Sequence, residues 1–166
     1  MTDVTFLLGG ARSGKSLRGL ELSDQTPKTF VATAEPLDAE MHERISLHQA
    51  ERGPEWGLVE APLEICDVIA GHRQGTLLID CLTLWLNNLM YRERDVEAEC
   101  ERLIHALSAS QAKIVLVSNE VGLSIAPENA LARRFRDAQG RLNQQVAAVA
   151  DRVEFIAAGL PVVLKG

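Results

Sequence analysis

Residues 9–16 read Gly-Gly-Ala-Arg-Ser-Gly-Lys-Ser and follow directly on the apolar run Val4-Thr5-Phe6-Leu7-Leu8. The octapeptide fits G-x-x-x-x-G-K-[ST], a pattern that works only in context. A strand has to deliver the chain into the loop, and a helix has to leave it, so that backbone N–H groups converge on a polyphosphate. Residues 4–8 supply that strand, and residues 17–22 read as the first turns of the helix. Gly9, Gly10 and Gly14 are expected to permit a close backbone approach that side chains would block. Ala11, Arg12 and Ser13 complete the loop. Lys15 is expected to reach the β- and γ-phosphates, and the Ser16 hydroxyl to ligate Mg²⁺. The chain is thus expected to fold as a phosphate-loop α/β protein that binds a nucleoside triphosphate.

Short apolar strands alternate with helical stretches along the rest of the sequence. Strands are predicted at 29–33, 56–60, 76–80, 113–118, 152–157 and 162–165, the last two joined through Gly159-Leu160-Pro161. Helices are predicted at 38–52, 63–70, 82–91, 96–108 and 130–150. The last has Leu131, Phe135, Leu142, Val146 and Val149 as its core stripe. Continuous apolar strands separated by helices imply a mostly parallel sheet covered on both faces. Residues 92–95 read as a helix–helix turn, and 166 residues suit a single domain, 1–166, with a sizeable core.

A net charge of −6 excludes a general nucleic-acid binder, which needs an extended basic surface. No apolar run is long enough to span a bilayer, and the N-terminus lacks the pattern of a signal peptide. Cys66, Cys81 and Cys100 show no metal-binding spacing, and a scattered, odd set suits buried thiols in a reducing cytoplasm.

Asp80 closes the apolar strand Leu77-Leu78-Ile79, as an acid that holds Mg²⁺ beside a phosphate loop does. Glu120 follows the strand at 113–118 and reads as a base, a second metal partner, or a solvated acid. Asp137-Ala138-Gln139-Gly140 matches D-x-x-G but falls within the long predicted helix, and no N-K-x-D accompanies it, so a signalling GTPase is not indicated. In the 38–52 helix, Arg44, His48 and Arg52 are spaced to share one face. The guanidiniums suit phosphate oxygens and favour a neutral imidazole, which is a competent nucleophile towards an α-phosphate. Spacing alone favours a plainer alternative, a solvated basic face paired with Glu40 and Glu51. His42, His72 and His105 read as surface residues.

Taken together, the chain resembles the bifunctional adenosylcobinamide kinase/adenosylcobinamide-phosphate guanylyltransferase family of cobalamin biosynthesis, over essentially its full length. The resemblance rests on the phosphate loop, Val31-Ala32-Thr33-Ala34, Arg44-Ile45-Ser46-Leu47-His48 and Leu78-Ile79-Asp80-Cys81-Leu82-Thr83. It continues in Val117-Ser118-Asn119-Glu120-Val121-Gly122, Pro127-Glu128-Asn129, Phe135-Arg136-Asp137 and Gly140-Arg141-Leu142-Asn143-Gln144. The Ser-Asn-Glu-Val-Gly and Phe-Arg-Asp…Gly-Arg-Leu-Asn-Gln segments are the most specific in combination. The family implies two transfers. A nucleoside triphosphate phosphorylates the aminopropanol hydroxyl of adenosylcobinamide. GTP then gives GMP through a histidine intermediate, yielding adenosylcobinamide-GDP and pyrophosphate.

The resemblance places the nucleophile at His48, against the solvated basic face that spacing alone favours. It assigns nucleotide contacts to the phosphate loop, Ala32, Thr33, Ala34, Gln49, Ala50, Glu51, Arg52, Glu60 and Asp80. It also implies a RecA-like three-layer fold and a homotrimer. Two departures stand out: Leu47 precedes His48 where the family often has a second histidine or a basic residue, and Gly53 separates Arg52 from Pro54. The extra glycine puts the Gln49–Arg52 contacts in question. Two other functions fit the loop by itself, a small-molecule kinase without histidine chemistry and a non-catalytic nucleotide-binding module.

Overall fold

The computed structural model describes residues 2–35 and 52–166. Seven strands form one sheet: β1 (Asp3–Gly9), β2 (Lys28–Ala32), β3 (Trp56–Glu60), β4 (Thr76–Asp80), β5 (Lys113–Asn119), β6 (Arg152–Ala157) and β7 (Leu160–Lys165). Five described helices connect or cover them: α1 (Lys15–Leu22), α2 (Ile65–Gly71), α3 (Leu82–Tyr91), α4 (Val96–Ala109) and α5 (Ala130–Val149). The order across the sheet is β3-β2-β4-β5-β1-β6-β7. β1 to β6 run parallel, and β7 returns antiparallel to β6 through a tight hairpin.

Alternation within the apolar strands builds the layers. Phe6 and Leu8 of β1, Leu77 and Ile79 of β4, and Ile114 and Leu116 of β5 enter one core, roofed by α2 to α5. Leu7, Leu78, Val115 and Val117 point the opposite way, into a smaller core completed by Leu20 and Leu22 of α1. These three central strands are therefore apolar nearly throughout because both of their faces are buried. Gly19 brings α1 close to the sheet: a Cβ there would lie 2.8 Å from a Leu78 methyl.

Most elements fall where the sequence places them, with informative exceptions. β7 begins at Leu160 and includes Pro161, two residues that the sequence pattern assigns to the turn. An edge strand tolerates proline because its outer side needs no ladder donor. Leu131, expected on the core stripe of α5, is 61% exposed. It lines an open groove with Met90 and Val96, so the stripe is correct but nothing packs over its first residue. His72, expected at the surface, is partly buried, and burial lowers its pKa. His105 is exposed as expected, whereas His42 and the 38–52 helix, Arg52 excepted, lie outside the described residues. Cys66, Cys81 and Cys100 are buried and in no disulfide. Among the described residues no helix is long and apolar enough to cross a membrane.

Candidate nucleotide site

The sheet topology assembles the site from segments far apart in sequence. β5 stands between β1 and β4, with Gly9 opposite Asn119 and Asp80 opposite Val117. The end of β4 therefore lies two strand spacings from the phosphate loop, about 10 Å at the level of the backbone. Side chains close that gap. The Ser16 hydroxyl, in the first turn of α1, donates to the Asp80 carboxylate at 2.9 Å. The two oxygens proposed from sequence to share Mg²⁺ are thus already in contact.

The loop itself is tightly drawn. Gly14 has φ +100° and precedes the helix directly, a conformation that favours glycine. At Gly9 a Cβ would sit 2.5 Å from the Ile156 carbonyl oxygen and 2.6 Å from the Ser13 hydroxyl. Gly10 differs: a Cβ there meets nothing within 4 Å, so the protein's own packing does not require that glycine. The Lys15 ammonium folds back across the loop, donating to the Gly10 carbonyl and, at 3.3 Å, to the Ser13 hydroxyl. Burial lowers the Lys15 pKa, with Asp80 and Cys81 opposing the shift. An incoming polyphosphate would add negative charge beside this buried cation and raise that pKa.

A second set of contacts fixes the end of β4. The Thr33 hydroxyl donates to the Cys81 carbonyl at 2.7 Å and accepts from the Cys81 N–H at 2.8 Å. Its own N–H donates to Asp80 O at 3.3 Å, and its carbonyl accepts from Asn88 Nδ2 at 2.8 Å. Every polar group of Thr33 therefore has a protein partner, and the residue ties the ends of β2 and β4 together beside Asp80. The Cys81 thiol is pushed up to about 11, first by burial and then by the Asp80 charge, so it stays protonated at neutral pH.

The end of β5 is held from above. Ser118 donates to Asn143 Oδ1 at 2.9 Å, and Gln139 Nε2 donates to both Ser118 Oγ at 3.0 Å and Asn143 Oδ1 at 2.9 Å. Asn143 Nδ2 reaches the Asn119 carbonyl at 3.3 Å, and Thr83 Oγ1 accepts from the Asn119 N–H at 2.9 Å. One residue on, the Glu120 N–H donates to Gly9 O at 3.0 Å, while its carboxylate accepts from the Gly122 N–H. Glu120 therefore abuts the mouth of the phosphate loop.

The remaining sequence candidates spread along the same sheet edge. Ala32 ends β2, with Thr33 and Ala34 following it, and Glu60 ends β3 opposite Ala32. Glu60 is four strand positions from β1, about 19 Å by strand spacing. Arg52 is buried, and its guanidinium stacks 3.5 Å from the centroid of the Phe30 ring in β2. His48, Gln49, Ala50 and Glu51 lie outside the described residues. Three groups that touch the loop or α1 carry no local sequence signal: Glu154, Arg18 and Gly159.

Comparison with known proteins places the chain in a family. Residues 5–164 match the family model described as cobinamide kinase / cobinamide phosphate guanyltransferase. The chain belongs to this family. The bifunctional adenosylcobalamin biosynthesis protein CobP of Pseudomonas aeruginosa is 40% identical over 167 residues, covering 97% of this chain and 96% of that one. CobU of Salmonella typhimurium, described by the same bifunctional role, is 37% identical over 180 residues, covering 98% and 99%. A solved Pyrococcus horikoshii OT3 protein (PH0250) shares the fold at TM-score 0.55 and 9% identity, over 99% of this chain and 86% of that one. Within this family member, the segment 9–16 and the acid-tipped strand β4 meet through the Ser16–Asp80 hydrogen bond.

Proposed function

We propose that the chain phosphorylates the aminopropanol hydroxyl of adenosylcobinamide with ATP or GTP. It then transfers GMP from GTP, through a guanylylated His48, to adenosylcobinamide phosphate, releasing pyrophosphate. The family match supports the substrates, and the Ser16–Asp80 contact beside Lys15 is the observation that carries the use of one nucleotide site for both transfers. A hydroxyl and a carboxylate are hard oxygen donors, the set that suits Mg²⁺ with the remaining positions left to phosphate and water. When bound, the ion neutralises charge on the transferring oxygens.

Each residue then has a defined task. The loop from Gly9 to Ser16 holds the polyphosphate, and Lys15 offers its ammonium to the β- and γ-oxygens. Asp80 is aimed by Thr33 through the backbone of Cys81. Ala32, Ala34, Gln49, Ala50, Glu51, Arg52 and Glu60 form the nucleoside side of the site. In the first transfer the cobinamide hydroxyl attacks the γ-phosphorus and the bond to the bridging oxygen breaks. In the second, His48 attacks the α-phosphorus and pyrophosphate leaves; the corrinoid phosphate then takes GMP from the histidine. Both steps need charge stabilisation at a fixed polyphosphate more than covalent help from many side chains.

Residues 1–166 act as one domain in this reading, in a reducing cytoplasm where the three buried thiols persist. The assembly is a homotrimer. Its support is the outer strand β7, where Leu160, Val162, Val163 and Leu164 are 47–69% exposed. A contiguous apolar edge of this kind calls for a covering partner.

The reaction is tested by incubating the protein with Mg²⁺ and GTP labelled at the α-phosphate, without corrinoid. Wild type is expected to retain acid-labile, base-stable label, and His48→Ala none. Stoichiometric label on His48→Ala would assign the nucleophile elsewhere, and an unlabelled wild type that still phosphorylates cobinamide would leave a plain kinase.

A further inference from the structure

The β6–β7 hairpin touches the phosphate loop at three backbone points. The Gly159 N–H donates to the Ser13 carbonyl at 2.8 Å. A Cβ on Gly14 would lie 3.1 Å from the Gly159 Cα, and one on Gly9 would lie 2.5 Å from the Ile156 carbonyl oxygen. The hairpin thus forms a wall against which the loop is pressed. The turn that presents this N–H is Ala158-Gly159, with φ +51° and +77°. Such a pair of positive φ values suits a two-residue hairpin turn, and glycine is the residue best able to hold the second position.

The same hairpin is anchored to the helix that leaves the loop. Glu154 of β6 is fully buried and accepts two hydrogen bonds from Arg18, at 2.8 Å from Nε and 2.9 Å from Nη2. A third comes from Arg152 Nε at 2.8 Å. Arg18 lies one helical turn beyond Lys15. The paired guanidinium–carboxylate geometry fixes orientation as well as distance, so β6 and the first turn of α1 are locked together on either side of the loop.

The Ser13–Gly14 peptide is trans. In a trans peptide the carbonyl and the following N–H point in opposite directions. Holding the Ser13 carbonyl on Gly159 therefore aims the Gly14 N–H away from the hairpin. We infer that the Ala158–Gly159 turn, seated by the Glu154–Arg18 pair, sets the orientation of the Ser13–Gly14 peptide and makes its N–H a pre-aimed donor to the bound polyphosphate. Gly159 is a positioning residue: it acts through the Ser13 carbonyl rather than on the nucleotide. This rests on the loop's binding of polyphosphate but on neither the guanine nor the corrinoid.

The test uses Mg²⁺-tripolyphosphate titrated calorimetrically into the full chain, at a temperature well below each variant's melting point. Gly159→Val places a β-branched residue at φ +77° and is expected to weaken binding about tenfold or more, the scale of one lost charge-assisted hydrogen bond. Gly159→Asn, which tolerates left-handed backbone, is expected to stay within about twofold of wild type. Arg18→Met is expected to fall between them. Leu107→Ala, a core change away from the loop, serves as the destabilised control and is expected to keep wild-type affinity.

A folded Gly159→Val that binds tripolyphosphate as tightly as wild type would overturn the inference. So would equal losses in Gly159→Val and Leu107→Ala. Should Gly159→Val not fold, Gly159→Ala decides instead. Its Cβ meets nothing within 4 Å, so only backbone strain acts; a loss of about threefold supports the role and wild-type affinity overturns it. Failure of wild type to guanylylate itself would count against the proposed reaction and leave this comparison intact.

Discussion

Ser16 and Asp80 are joined by a hydrogen bond, and the Asp80 charge also acts on the Lys15 ammonium. Lys15 is desolvated ahead of its ligand, so its charge is exerted in a partly water-free setting. Asp80→Asn removes the charge while leaving an oxygen within reach of Ser16. That variant is expected to need at least about tenfold more Mg²⁺ for half-maximal turnover, measured by metal titration of either transfer. Glu154 illustrates linkage at a single buried group. The Arg18 hydrogen bonds hold its carboxyl below the ordinary value of 4.5, against the desolvation that would raise it. A depressed folded pKa gives stability that is complete above the unfolded value and lost as pH falls through the folded one. Glu154→Gln is therefore expected to lose about 2–3 kcal/mol at pH 7, less than a fully buried pair, because Arg18 is a quarter exposed. The deficit should narrow as urea denaturation is repeated from neutral pH down to about pH 3. A constant deficit across that range would show that the carboxylate charge is not the source.

At the scale of elements, strand ends are fixed by side chains that the motif residues do not advertise. Thr33→Val keeps the shape but removes both bonds to Cys81, leaving the buried Cys81 N–H unpaired while the Cys81 carbonyl keeps the Trp85 N–H at 3.2 Å. It is expected to cost about 2–3 kcal/mol in thermal or urea unfolding and to lower turnover in both transfers more than it changes nucleotide affinity. Asn143 holds Ser118, Gln139 and the Asn119 carbonyl together over the end of β5. The tail segment around Gly140-Arg141-Leu142-Asn143-Gln144 is distinctive in sequence for its pattern alone; the structure supplies its physical reason, which is to pin the Asn119–Glu120 turn beside Gly9. Local patterns suffice for the elements themselves, because apolar runs such as 76–80 and 113–118 must be buried on both faces. They do not suffice for Thr33. A short polar residue after a strand reads as a ligand contact, and nothing local to it signals that it also ties two strands together.

At the scale of the molecule, the phosphate loop and Asp80 are legible in the sequence because each is a contiguous motif whose chemistry needs a fixed residue type. The Glu154–Arg18 and Gly159–Ser13 contacts are not. They join positions 136 and 146 residues apart, and nothing local to either end signals the pairing. The antiparallel return of β7 belongs to the same class, since an apolar strand reads alike in either direction. Its exposed residues carry a prediction of their own: Val162→Lys with Leu164→Lys is expected to shift the proposed trimer to monomer in light scattering. An unchanged mass would move the subunit contact elsewhere. The central claim concerns the whole site, that one phosphate loop serves transfers at two different phosphorus atoms. It is tested most directly by giving Lys15→Ala and His48→Ala, side by side and with GTP present, cobinamide in one assay and cobinamide phosphate in another, so that each transfer is read separately. Lys15→Ala should lose both cobinamide phosphate and cobinamide-GDP by at least about a hundredfold, whereas His48→Ala should still accumulate cobinamide phosphate and make no cobinamide-GDP. Lys15→Ala that keeps either product at the wild-type rate would contradict a shared site.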